Sequence, residues 1–240
     1  MKKRFEFRAS SLDERREFYE KEFDINKVKR WFYGNGLSLP QLCALDAGTE
    51  TGIILDKKLK GKMFYFNFKD LKRKIKKYVP EDLYYDRNIY ENPHRILNSL
   101  KFNNWKKQEL AFDIDADNIK CKCHKREKLC DSCIKRAFGL AKKMKARLKE
   151  KFRNIKIVYS GRGFHLHILD KKAFLLSIKE REELNKKFSR FPIDSWVSRG
   201  YIRLIRMPYS LNGLISRKVI PIKISRFNKK QAYPLFLKNN

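Results

Sequence analysis

Asp113 and Asp115, two residues apart in the apolar run Leu110-Ala-Phe-Asp-Ile-Asp-Ala116, are the side chains of this sequence best placed to do chemistry. Alternate residues of a strand point to the same face, so both carboxylates would project together while Phe112 and Ile114 pack behind them. Like charges this close are costly unless a cation or a proton sits between them. Hard, oxygen-seeking ions such as Mg²⁺ suit the pair. In two-metal chemistry such ions clamp the attacking and leaving oxygens of a phosphoryl transfer. The bland alternative for an Asp-x-Asp at a strand end is a solvated edge or a helix cap, so further pieces must come from elsewhere in the chain.

Ser160-Gly-Arg-Gly-Phe-His165-Leu-His167 supplies one. Its glycines allow close backbone approach to a phosphate, Ser160 offers a hydroxyl and Arg162 a fork of donors. His165 and His167 share one face of the following strand, with Phe164, Leu166 and Ile168 on the other. The competing reading is a hairpin with a basic tip and two half-buried histidines. A zinc hydrolase using the histidines is the weakest alternative, because the cysteines described next compete better for that metal.

Four of the five cysteines crowd into Cys121-Lys-Cys-His-Lys-Arg-Glu-Lys-Leu-Cys130-Asp-Ser-Cys133. In a reducing compartment this density reads as a structural zinc site rather than disulfides. Cys130 and Cys133 form the specific half; Cys121, Cys123 and His124 are three candidates for the remaining two places. Thiolates would offset the surrounding lysines, which favours the four cysteines with His124 as the alternative ligand. Such a site is closed by four protein ligands and leaves catalysis elsewhere. Cys43 has no sequence partner and reads as a buried thiol.

The net charge of +31, from 58 basic and 27 acidic residues, makes a polyanion the natural partner. Heat adaptation or codon bias would raise Lys and Glu together, and here the acids lag. No apolar leader core follows Met1-Lys-Lys-Arg-Phe-Glu6, and no run approaches the roughly 20 apolar residues of a membrane span. The expectation is an intracellular, soluble protein of the cytoplasm or nucleoid with no membrane partner.

These groups need elements to hold them. Periodicity predicts a helix over residues 12–33, capped at Ser11 or Asp13, then hairpin strands over 45–55 and 63–68 and a basic helix over 70–78. Ile134, Ala137, Phe138, Ala141, Met144, Leu148 and Phe152 form one apolar stripe, with eight Lys or Arg around it offering a basic face to phosphates. Strands follow over 155–159 and 164–169, a short helix over 179–188, and strands over 201–206 and 218–224. That order argues for an α+β fold of mixed, substantially antiparallel sheets with flanking helices.

The Asp-x-Asp strand, the cysteine cluster, the amphipathic helix and Val158-Tyr-Ser-Gly-Arg-Gly-Phe-His-Leu-His167, in this order and spacing, resemble the catalytic small subunit of archaeal and eukaryotic DNA primases. Ile193-Asp-Ser-Trp-Val-Ser-Arg-Gly-Tyr-Ile-Arg-Leu-Ile-Arg-Met-Pro-Tyr-Ser-Leu211 resembles the segment holding that family's third metal-binding aspartate and a basic phosphate ligand, which fall at Asp194 and Arg206. Tyr90-Glu-Asn-Pro93 is a fainter match, and the resemblance spans roughly residues 85 to 225. It implies one primase catalytic domain over 1–240, a zinc-binding loop at 119–135, and a helical subdomain reduced or absent near 171–191. Two Mg²⁺ or Mn²⁺ ions would be bridged by Asp113, Asp115 and Asp194, with Ser160, Arg162, His165 and Arg206 holding the nucleotide. The implied reaction is DNA-templated synthesis of short RNA or DNA primers from nucleoside triphosphates on single-stranded DNA. A large subunit would be a separate chain, since no second cysteine cluster is present.

Two departures stand out. Asn212 occupies the place of a family histidine, and no Arg-Glu-Phe-type motif is recognisable in Leu39-Pro-Gln-Leu-Cys-Ala-Leu-Asp46. Competing functions are a repair or plasmid primase-polymerase that only extends primers, and a non-enzymatic zinc-stapled nucleic-acid-binding protein.

Overall fold

The computed structural model describes residues 7–48, 63–119, 129–223 and 227–238. Its elements run α1 (Leu12–Lys21), α2 (Ile25–Gly34), β1 (Leu42–Asp46), β2 (Met63–Asn67), α3 (Leu71–Tyr78), β3 (Asp82–Asp86), β4 (Asn88–Tyr90), α4 (Pro93–Ser99), β5 (Trp105–Gln108) and β6 (Leu110–Asp115). After the cysteine region come α5 (Asp131–Leu148), β7 (Ile155–Tyr159), β8 (Gly163–Ile168), α6 (Ile178–Lys187), α7 (Ser195–Arg199), β9 (Leu204–Arg206), β10 (Leu211–Asn212), β11 (Arg217–Lys218) and β12 (Ile220–Ile222). Two compact units emerge: the described parts of Met1–Trp105, Leu204–Ile220 and Lys229–Asn240, and those of Lys106–Arg203 and Pro221–Asn228.

The first unit is a six-stranded sheet in the order β11-β10-β3-β1-β2, with β9 also on β3. Strands β2 and β3 flank β1 in antiparallel register, Leu45 lying opposite both Phe64 and Leu83. Phe18 of α1, Val28 and Phe32 of α2 and Ile75 of α3 are buried, and Phe32 meets Tyr85 edge-on at 5.1 Å. The single helix expected over 12–33 is two. Asp24 turns extended and accepts from the Asn26 N–H at 2.8 Å, which starts a new helix where the old one ends at Lys21. Ser11 and Glu14 form the reciprocal cap of α1. The strand expected over 45–55 begins earlier, at Leu42, and its later part falls outside the described residues. Cys43 is buried, as its isolation in sequence predicts, and burial pushes its thiol well above the usual range.

The second unit carries a four-stranded sheet, β12-β7-β8-β6. Helix α5 packs on β8, β6 and β7 through Ile134, Ala137, Ala141, Met144 and Leu148, so the apolar stripe lies where periodicity puts it. Phe164 stacks among Phe138, Tyr159 and Phe227 at 5.1–5.3 Å on this side of the sheet. The basic residues of α5 lie exposed, as the sequence implies, with the exception of Lys145. Lys145 is buried and donates to the Ile155 carbonyl, Lys142 lies over the Phe138 ring, and Arg147 lies over that of Phe191. At the end of the chain the strand expected over 201–206 starts only at Leu204. That over 218–224 is broken at Val219, whose N–H bonds the Ser210 carbonyl, so β11 joins the first sheet and β12 the second. Among the described residues no helix is long and apolar enough to cross a membrane.

Candidate active site

Strands β6 and β8 lie antiparallel with Asp113 opposite His165, Asp115 opposite Gly163 and Ala111 opposite His167. The period-2 pleat thus puts Asp113, Asp115, His165 and His167 on one face and the apolar side chains toward α5 on the other, as the alternation in sequence requires. Edge strand β6 gains one further neighbour: Ile193 bridges Ile114, and the Asp194 N–H bonds the Asp113 carbonyl at 2.9 Å. The third aspartate is therefore anchored beside the first by backbone. Its own carboxylate caps α7 by accepting from the Trp196 N–H at 2.8 Å.

The Ser160–Gly163 turn joins β7 to β8. Ser160 N–H bonds the Gly163 carbonyl at 3.0 Å, and the Ser160 hydroxyl accepts from the Gly163 N–H at 3.2 Å. Ser160 is 5% exposed, so its hydroxyl first closes the loop. Gly161 has φ +101°, a region that side-chain-bearing residues avoid. Arg162, about two-fifths exposed, is ion-paired with Asp117, which the Asp-x-Asp pattern does not single out. His165 lies almost buried with Nε2 3.7 Å from the Asp113 carboxylate. His167 is fully buried, its Nδ1 2.7 Å from Glu109 Oε1. Glu109 stands two residues before Ala111, the cross-strand partner of His167, and only the strand register exposes that pairing.

Arg206 belongs to the first unit, where its guanidinium donates to Asp82 at 2.8 Å and lies over the Tyr84 ring. Burial pushes the Asp82 carboxyl above the usual carboxylate range, and Arg206 beside it partly offsets this. Asn212 is fully buried opposite Asp82 in the β10–β3 ladder, which makes it part of the sheet interior.

Among the described residues no group of three or more His, Cys, Asp or Glu side chains is gathered closely enough to hold a metal ion. Cys121, Cys123 and His124 lie outside the described residues. Cys130 precedes α5 and Cys133 is buried in its first turn, their sulfurs 3.4 Å apart with the Cys130 thiol donating.

A two-layer arrangement of antiparallel sheet and helix, with an aspartate-bearing edge strand beside a Ser-Gly-Arg-Gly turn, is the frame on which the known relatives can be compared. A protein-family model described as DNA primase small subunit matches residues 112–192. A DNA primase small subunit-like protein of Archaeoglobus fulgidus is 36% identical in an alignment that covers 99% of this chain and 95% of that protein. DNA primase small subunit PriS of Pyrococcus furiosus is 30% identical over 91% of this chain and 64% of its own length. The polymerase domain of Mycobacterium tuberculosis Ligase D, solved in complex with DNA, aligns at TM-score 0.46 and 14% identity over 89% of this chain and 80% of that domain. The chain belongs to the DNA primase small-subunit family. It spans nearly the whole Archaeoglobus relative and under two thirds of the Pyrococcus PriS.

Proposed function

We propose that this chain is a nucleotidyltransferase that makes short primers from nucleoside triphosphates on a single-stranded DNA template, working with a separate large subunit. The observation that carries the reading is the Asp194–Asp113 backbone bond, which brings the third motif onto the strand pair that already holds the other two. Asp113 and Asp115 are partly exposed carboxylates on one face with no soft ligand between them, a donor set that fits Mg²⁺ or Mn²⁺. They would hold these ions with Asp194, whose carboxylate would have to leave its cap on α7 or share it. Bound there, the ions would supply the positive charge that steadies the attacking and leaving oxygens.

The protein's own groups act around that charge. His165 borders Asp113 and would orient its carboxylate or donate to a phosphate oxygen. Arg162 would exchange Asp117 for the triphosphate, the stronger anion, and Ser160 keeps the turn in shape for it. For Arg206, which pairs with Asp82 in the first unit, the family resemblance implies a role in binding phosphate.

Asp113→Ala or Asp194→Ala is expected to lower nucleotide incorporation by at least about 100-fold while leaving single-strand affinity within about twofold. The assay follows labelled nucleotide on single-stranded template, with and without a primer. Full synthesis by the Asp113→Ala protein would sink the reading, and activity only with a primer would make it an extending polymerase.

For the zinc, Cys130 and Cys133 fit one half of a tetrahedral site, to be completed by Cys121 and Cys123, with His124 as the alternative to one of them. Elemental analysis of the purified chain should find about one equivalent, and Cys130→Ser should lose metal and thermal stability before activity is assayed. Less than about half an equivalent in the wild type removes the site.

A further inference from the structure

Trp196 and Tyr201 have no part in the reaction as proposed, yet they follow Asp194 closely along the chain as large rings left in water. Trp196 is 62% exposed, Tyr201 47%, and Ile202 beside them 42%. Exposed side chains ordinarily sample several rotamers, and fixing them costs entropy that burial normally offsets. Here burial offsets little, and the segment is nonetheless pinned from several directions. The rings meet edge to face with centroids 5.5 Å apart. The Ile202 N–H bonds the Trp196 carbonyl at 3.1 Å, and the Tyr201 hydroxyl donates to Glu182 at 3.2 Å. Between them Gly200, at φ +96°, ends α7 with its carbonyl bonded by Gln108 Nε2 at 3.0 Å. The positive φ favours glycine here, and an added Cβ would in addition stand 2.3 Å from Gln108 Oε1 and push that side chain aside. At the other end, the Trp196 N–H is held by the Asp194 carboxylate.

We infer that Trp196 and Tyr201 are a preorganised stacking platform for an unpaired base of the single-stranded template, adjoining the Asp113–Asp115 face. This rests on the primer-synthesis reading. A base is the occupant for reasons of chemistry: aromatic rings stack on any nucleobase without reading sequence, and a template strand must present its bases unpaired at the point of synthesis. Charge agrees, because Arg199 lies between the two rings in sequence and Arg203 two residues after Tyr201, in a chain of net charge +31 where a phosphate backbone is welcome. Glu182, the nearby acid, is engaged by the Tyr201 hydroxyl and fixes the ring.

The test measures binding of a fluorescein-labelled dT oligonucleotide of about 16 nucleotides to the full chain by anisotropy, without nucleotide or divalent ion. Trp196→Ala/Tyr201→Ala should bind about 5- to 50-fold more weakly, and Trp196→Phe, which keeps a π face, should stay within about threefold of wild type. An abasic strand of equal length should bind wild type and double variant alike. Equal dT affinity for the two proteins overturns the inference. So does an equal loss on the abasic strand, which would mark a contact to the backbone. Conversion of a dimer to a monomer by the double substitution, read by sedimentation velocity, would assign the patch to a second copy of the chain. A fall in melting temperature of more than about 5 °C would assign it to packing. Asp113→Ala tests the underlying reading separately: synthesis by that variant removes the reaction, whereas unchanged dT binding by the double variant removes only the platform.

Discussion

Gly163 stands in a motif whose glycines invite a phosphate explanation, but its hydrogen is required by protein. An added Cβ would sit 2.2 Å from the Ile114 carbonyl oxygen and 2.9 Å from Asp115 Cα, both backbone atoms of the facing strand. Neither yields without opening the ladder at the Asp115–Gly163 pair, which is the rung that sets the carboxylate face. Gly163→Ala is therefore expected to cost about 3 kcal/mol or more in urea unfolding, and to reduce incorporation through displaced aspartates. Wild-type stability for this variant would mean that the strands separate cheaply there. Gly161 differs: its positive φ serves the turn itself. A single Ser-Gly-Arg-Gly string thus combines a close-packing glycine, a turn glycine and a serine that locks the loop. Sequence exposes the motif but does not apportion those roles. The same holds for His167, whose alignment with His165 was legible and whose buried partner Glu109 was not, because the pairing depends on strand register.

At the scale of elements, most of what spacing within one segment determines is legible, the break between α1 and α2 at Asp24 being the local exception. The alternation through Asp113 and Asp115, the stripe of α5 and the β7–β8 hairpin all follow from spacing within one segment. What else escaped depends on partners far along the chain. Strand β3 begins and ends with Asp82 and Asp86, both 2% exposed, a pattern that looks like loop until Arg206 and Tyr90 come to bond them. Helix α7 has only five residues and is recognisable chiefly by the Asp194 cap and Gly200 stop. Lys145 is the clearest case of tertiary structure overriding pattern. It lies on the inner side of α5 against Ile155, and burial, with help from Lys149 and Lys156, pulls its pKa down to about 8. Between about pH 8 and the ordinary lysine range near 10.5, the unfolded chain holds a proton at this position that the folded chain has released, so this lysine's contribution makes stability rise with pH. Below that window the folded state bears the full cost of the buried charge. Lys145→Met should accordingly raise the urea midpoint most at neutral pH, with the gain over wild type shrinking from about pH 8 to 10.5. A gain independent of pH would place the ammonium in water.

For the whole molecule, the division into units is not a division of the sequence. After the second unit the chain returns at Leu204 to complete the first sheet with β9, β10 and β11, so Asp194 and Arg206, close in sequence, belong to different units. A linear reading takes that third motif as one piece and has no means of seeing the boundary inside it. Charge, by contrast, was legible in full, since it needs no fold: a +31 excess on 240 residues sets a long-range field whichever way the chain runs. Its consequence is measurable. Each lysine or arginine that neutralises a phosphate on a single strand releases counterion, and the logarithm of the binding constant falls with that of salt concentration at about −0.7 per contact. Contact with about four phosphates gives a slope near −3, hence an affinity loss of about 50-fold between about 50 and 200 mM salt. Asp113→Ala should show the same slope, because it removes a carboxylate meant for cations rather than a phosphate ligand. The aromatic double variant should lie on a parallel line displaced to weaker binding, since stacking releases no counterion. Anisotropy titrations across that salt range decide the matter. A slope shallower than about −1 would mean that the positive field attracts the strand without holding it, and that binding is carried by bases alone.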